Sequence, residues 1–132
     1  MPFPKIGDTI DTEKAIELCE FFRFGELAEY IENNQSCFKP WVFDGASMIP
    51  DNIFTAVFSV PNFTKIALKH DLHYAYGKQG DLKGRLLADL RFYSDLIIDN
   101  CPPELAHTMF LAVRVAGCEE AMLQFSWGFA RK

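Results

Sequence analysis

The run NFTKIALKHDLHYAYGKQGDLKGRLLADLRFYSDLIID, residues 62–99, decides the fold. Asn62 is a helix-capping residue type, apolar residues then recur at helical spacing to about Tyr76, and Gly77 suits a left-handed stop. Asp81 can cap a second helix that runs to about Asp99. A link as short as Gly77 to Asp81 makes the two helices antiparallel neighbours. His70 stands seven residues before Gly77 and Asp89 eight after Asp81. At ~1.5 Å per residue both lie roughly 10–12 Å from the turn, so they sit level on facing helices.

Working outward, a first helix starts at Asp11 or Thr12 and carries Ala15, Ile16, Leu18, Cys19 and Phe22 as its stripe, with Gly25 as the expected break. A second set, Leu27, Ala28, Tyr30 and Ile31, ends at Asn33-Asn34. Residues 35–61 lack clean periodicity and hold Pro40, Gly45, Pro50 and Pro61. They read as a long structured loop with a short strand or turn at Ile53–Phe58. Beyond Asp99, Pro102-Pro103 opens a helix that Gly117 ends, and Glu119 to Phe129 reads as a short last helix. No strand is readily placed, so the fold class is all-α or mostly α. The expected organisation is a single domain, 1–132, with 1–34 a helical N-terminal extension and 35–132 the core.

Composition agrees with a packed chain. Hydrophobic residues make up 49 % and charged residues 23 % of 132, with 13 Phe, which excludes extensive disorder. A net charge of −5 argues against a nucleic-acid binder. No apolar run is long enough for a transmembrane segment. The N-terminus has no signal-peptide pattern, so the expected location is cytoplasmic, with release or association with a phage as the alternative. Cys19, Cys37, Cys101 and Cys118 are far apart and read as reduced thiols, two disulfides being the alternative for an exported chain. Phe21, Phe22 and Phe24 are more than one helix face requires. They mark a docking patch for a second copy or another protein.

The facing His70 and Asp89 have the geometry of a carboxylate-oriented imidazole. Tyr74, one turn after His70, is placed to bond Asp89 or to pack. Asp71 points ~100° away from His70, toward a different end of the same site. His73 reads as a rim residue without an evident partner, and His107 as a structural one. The loop from Phe43 to Asn52 offers oxygens for a hard cation such as Ca²⁺: Asp44, carbonyls near Gly45, and Asp71 from the helix. The EF-hand pattern is missing. The same residues also read structurally, as a hydrogen-bonded interface histidine with its partner and a loop made of turns.

Taken together, Phe43-Asp44, Pro50-Asp51-Asn52, His70-Asp71-Leu72-His73-Tyr74, Asp89 with Phe92-Tyr93-Ser94-Asp95, and Ala112-Val113-Arg114-Val115-Ala116-Gly117 resemble the secreted bacterial and fungal branch of the phospholipase A₂ superfamily. The resemblance implies a calcium-dependent hydrolase of a phospholipid or other lipid ester. It makes His70 the general base, Asp89 its orienting carboxylate and Tyr74 a support for Asp89. Asp44, Asp71 and the Gly45 carbonyl become calcium ligands. The chain also resembles small phage and bacterial proteins of unknown function, through Asp44-Gly45-Ala46-Ser47-Met48-Ile49-Pro50, His70-Asp71 and Ala112-Val113-Arg114. That likeness implies an intracellular or phage-linked role. The alternative supported by Phe21, Phe22 and Phe24 of the N-terminal helix is a non-catalytic helical interaction module that keeps a vestigial His-Asp pair.

Overall fold

The computed structural model describes residues 3–45 and 60–132. The chain runs β1 (Thr9–Ile10), α1 (Thr12–Phe21), α2 (Gly25–Asn33), a 3₁₀ turn (Gln35–Cys37), β2 (Trp41–Val42), α3 (Phe63–Ala75), α4 (Leu82–Ile98), α5 (Pro103–Ala116) and a second 3₁₀ turn (Glu119–Ala121). Among the described residues the fold is all-α, with one two-residue antiparallel ribbon pairing Thr9 with Val42 and Ile10 with Trp41. The expected strand or turn at Ile53–Phe58 lies outside the described residues, as does the part of the loop from Ala46 to Asn52. Among the described residues no helix is long and apolar enough to cross a membrane.

Asp11 caps α1 by accepting from the Lys14 backbone N–H at 2.8 Å, as its residue type predicts. The break after α1 differs from the expected one. Arg23 takes the left-handed conformation (φ 64°), Phe24 N–H reaches back to the Cys19 carbonyl at 2.7 Å, and Gly25 opens α2 instead. Phe3, Phe21, Phe22 and Phe24 form a chain of ring contacts 5.0–5.8 Å apart, with Phe3 and Phe21 exposed.

The α3–α4 hairpin forms as read, and Asp81 caps α4 by accepting from Gly84 N–H at 2.9 Å. Two details of its ends are different. Asn62 holds the N-cap position of α3, but its side chain makes no capping bond; its backbone N–H and side-chain amide both bond Asp99, at 2.8 and 2.7 Å, tying the start of α3 to the end of α4. Gly77 is not left-handed either; among the described glycines that role falls to Gly7, Gly45, Gly80 and Gly128. Gly77 is glycine for lack of space, because a Cβ there would run into the Trp127 indole. Gly77→Ala should therefore destabilise the protein by about 1–3 kcal/mol, the cost of overpacking. Thermal melting would read this as a fall of several degrees, and an unchanged midpoint would contradict it.

Pro103 starts α5 at its first turn and Gly117 ends it. The expected helix from Glu119 to Phe129 is absent. Only the turn Glu119–Ala121 is helical, and left-handed Met122 and Gly128 redirect the chain. The C-terminal segment crosses the end of α3 instead: Gly128 and Ala130 N–H groups bond the Tyr74 and Ala75 carbonyls at 2.7 and 2.9 Å. It then meets the first half of the chain, where Lys39 N–H bonds Ala130 O and Lys132 N–H bonds Cys37 O. Among the described residues the main core cluster spans Ile10, Leu18 and Ile31 from the N-terminal part and Leu68, Leu72, Leu96, Met109 and Val113 from α3–α5, and a small second cluster gathers Tyr74, Ala88 and Trp127.

The four cysteines are free thiols. Cys19 lies in the core, where burial and the charge of Glu20 push its thiol up to about 12, so it is inert as a nucleophile.

Candidate functional site

α3, α4 and α5 converge on one buried carboxylate. On α3, His70 and Tyr74 stand one turn apart and face inward. On α4, Arg85 and Asp89 do the same. From α5, Arg114 reaches across. Asp89 is fully buried, and His70 and Arg85 are nearly so.

Both carboxylate oxygens of Asp89 are occupied. Oδ1 accepts from His70 Nε2 at 2.8 Å and from the Tyr74 hydroxyl at 2.7 Å. Oδ2 accepts from Arg114 Nη1 at 2.6 Å, with Arg85 Nη1 at 3.6 Å. Arg85 is in turn fixed by donation to the Tyr74 oxygen (3.1 Å), the Val113 carbonyl (3.3 Å) and the Arg114 carbonyl (2.8 Å). A buried charge is tolerated when it is paired and hydrogen-bonded, and these contacts satisfy that condition. Burial, then the charge and hydrogen bond of Asp89, push the Tyr74 hydroxyl far above its ordinary value, so Tyr74 is a permanent donor here.

His70 Nε2 points at a carboxylate and must carry the proton. In the neutral ring Nδ1 then holds the free lone pair. Nδ1 lies 3.9 Å from Asp71 Oδ1. The Tyr74 and Phe92 rings flank the imidazole at 4.4 and 4.7 Å. Burial pulls His70 down, but the Asp89 hydrogen bond and the charges of Asp89 and Asp71 outweigh it and hold it above its ordinary value. On the α3–α4 side, the crevice lined by Ile66, Lys69, Ala88 and Phe92 has no void the size of a water molecule.

Asp71 is buried beside His70. Burial raises its carboxyl above the ordinary value, His70 pulls it back, and the negative charge of Asp44 raises it further. Asp44 and Asp71 therefore feel each other as like charges. Asp44 and Gly45 come one residue after β2, past Phe43, and are positioned by the ribbon. Gly7 N–H bonds the Phe43 carbonyl at 2.7 Å, Phe43 N–H bonds the Asp8 carbonyl at 3.0 Å, and Gly45 is buried at φ 76°. Among the described residues no group of three or more His, Cys, Asp or Glu is gathered as a metal site.

The structure thus brings His70, Asp89 and Tyr74 into direct contact, and sets Asp71 beside His70 with Asp44 within electrostatic reach. His73 is not the partnerless rim residue expected. Its Nδ1 bonds the Lys69 carbonyl (3.1 Å), its Nε2 faces Arg91 Nη1 (3.2 Å), and its ring meets Phe24 edge-on at 4.5 Å. Burial, with smaller effects from Arg91, His70 and Lys69, lowers it to about 4, so it is neutral and structural. His107 is exposed on α5. Sequence reasoning gave Arg85 no role, and it quoted Arg114 only within the Ala112–Gly117 stretch, without its contact to Asp89. The Arg85–Asp89 spacing of four was a usable signal for an intrahelical pair; Arg114 had none beyond being a lone base in the apolar run Phe110 to Val115. No family model, no curated protein and no solved structure matches this chain.

Proposed function

We propose that the chain is a calcium-dependent hydrolase of a lipid ester, as the resemblance to the phospholipase A₂ superfamily implies. The observation that carries this reading is the division of labour on His70. Nε2 is committed to Asp89, while Nδ1 is turned toward Asp71. An imidazole held in one tautomer by a buried carboxylate is the arrangement of a general base.

The donor set suits a hard cation. The Asp44 and Asp71 carboxylates and the Gly45 carbonyl are oxygen ligands, the type calcium takes. A cation held by Asp44 and Asp71 would relieve the like-charge repulsion that Asp44 exerts on Asp71, a second reason the residues suit one. Bound there, calcium supplies polarisation of the ester carbonyl and stabilisation of the oxyanion.

The chain's own groups do the rest. Neutral His70 Nδ1 accepts a proton from water as the water oxygen forms its bond to the ester carbon. Asp89 stabilises the imidazolium, with Tyr74 and Arg114 fixing the carboxylate in place. The same proton then passes from Nδ1 to the leaving alkoxide oxygen as the ester C–O bond breaks. No serine or cysteine nucleophile is involved.

Melting curves in calcium and in EDTA, on wild type and Asp71→Asn, test the metal part. At a hundredfold excess over Kd a site stabilises by about 2.7 kcal/mol, a rise of several degrees. Wild type should show that rise and Asp71→Asn should lose it. No rise in wild type, or an equal rise in the variant, would contradict the assignment.

A second reading, a non-catalytic helical module with a structural His-Asp pair, is favoured by the two arginines on Asp89. It shares every contact described above and differs only in predicting neither a calcium response nor hydrolysis.

A further inference from the structure

The outward side of α4 is apolar. Leu82, Leu86, Leu90 and Ile97 are 72, 40, 44 and 38 % exposed, with half-buried Tyr93 between the last two. Leu86, Leu90, Tyr93 and Ile97 follow a 4-3-4 spacing, the seam spacing of paired helices. At ~100° per residue they occupy a sector of roughly 60°. That sector lies beside the face that buries Arg85, Ala88, Asp89, Phe92 and Leu96 in the fold.

α5 runs antiparallel to α4 and widens the surface. Tyr93 and Phe110 meet at 5.7 Å, and Leu111 and Val115 are 51 and 75 % exposed. Scattered exposed leucines are ordinary. A joined surface is not, and the Tyr93–Phe110 contact links the exposed apolar side chains of α4 to those of α5.

We infer that this face pairs with the same face of a second copy of the chain. α4 lies antiparallel to α4 of the partner, about a two-fold axis between Leu90 and Tyr93. Leu86 then meets Ile97 of the partner subunit, and Leu90 meets Tyr93 of the partner subunit. The charges select this occupant and this direction. Exposed Lys83 stands at the N-terminal end of the face and exposed Glu104, in the first turn of α5, at the other. The two-fold axis sets Lys83 beside Glu104 of the partner subunit, twice, and opposes the two α4 dipoles. A parallel arrangement would set like charges side by side. The N-terminal aromatic cluster is a poorer seam, because its rings already pack on one another and Lys65 and Lys69 lie over Phe3 and Phe22.

Sedimentation equilibrium of the full chain tests the pairing, with circular dichroism to verify folding. Wild type should be a dimer in the micromolar range. Leu90→Lys, at an exposed position, should raise the dimer dissociation constant by about tenfold or more. Lys83→Glu should weaken the dimer, and Lys83→Glu with Glu104→Lys should restore it. A wild-type monomer would overturn the inference and assign the face to a different partner. A dimer indifferent to Leu90→Lys, or one dissociated by Phe21→Ser instead, would overturn it as well.

Discussion

Asp89→Ala lowers the stability of the protein by about 3–5 kcal/mol, the cost of breaking a buried ion pair from one side. Three donors end at this carboxylate, and the Arg85 guanidinium forms an ion pair with it at 3.6 Å. Without it the Arg85 guanidinium stays buried next to the Tyr74 hydroxyl, with no negative charge nearby. His70 Nε2 loses its acceptor, and Arg114 loses a contact of 2.6 Å that draws it into the fold. Asp89→Asn is little better, because an amide offers one acceptor oxygen where two carboxylate oxygens are used. The charge also explains how to recover stability. Asp89→Leu with Arg85→Met removes both buried charges and should regain part of the loss, as replacing a buried pair with apolar side chains of similar volume does elsewhere. Urea denaturation of the three variants measures this directly. A loss under about 1 kcal/mol for Asp89→Ala would mean that the network contributes little to the fold.

His70→Gln separates catalysis from architecture. The glutamine amide N–H can still donate to Asp89, so the structural half of the histidine's role is largely kept. Nothing in its place accepts a proton at the position of Nδ1. General-base catalysis contributes about 10²–10⁴-fold, and fatty-acid release should fall by at least that much. Stability should change by no more than about 1–2 kcal/mol, the scale of one altered buried hydrogen bond. A variant that is unfolded would give no information on the base, which is why melting must accompany the assay. A folded variant with more than a tenth of wild-type activity would exclude His70 as the base.

What the sequence made legible was local. The α3–α4 hairpin could be read because helical periodicity, the Asp81 cap and the short link are encoded within residues 62–99. Level placement of His70 and Asp89 followed from helix rise alone. What escaped was tertiary. Gly77 looked like a left-handed stop, and the reason it is glycine is an indole ring fifty positions away, at Trp127. Asn62 looked like a cap, yet its partner is Asp99 at the far end of the hairpin. The segment after Glu119 had helix-forming residues at its start, but the contacts that determine its path are backbone bonds to Tyr74 and Ala75. Arg85 and Arg114 escaped for the same reason. A cation on an inward helix face is indistinguishable in sequence from one on an outward face until the neighbouring helix is placed.

Activation of water by His70 beside a calcium site would show in fatty-acid release from phospholipid vesicles by wild type and His70→Gln, each in calcium and in EDTA. Release by wild type in calcium, lost in EDTA and lost again in the folded variant, is the predicted result. Release that is equal in calcium and EDTA, or equal in the two proteins, or no release by wild type in calcium, would contradict it.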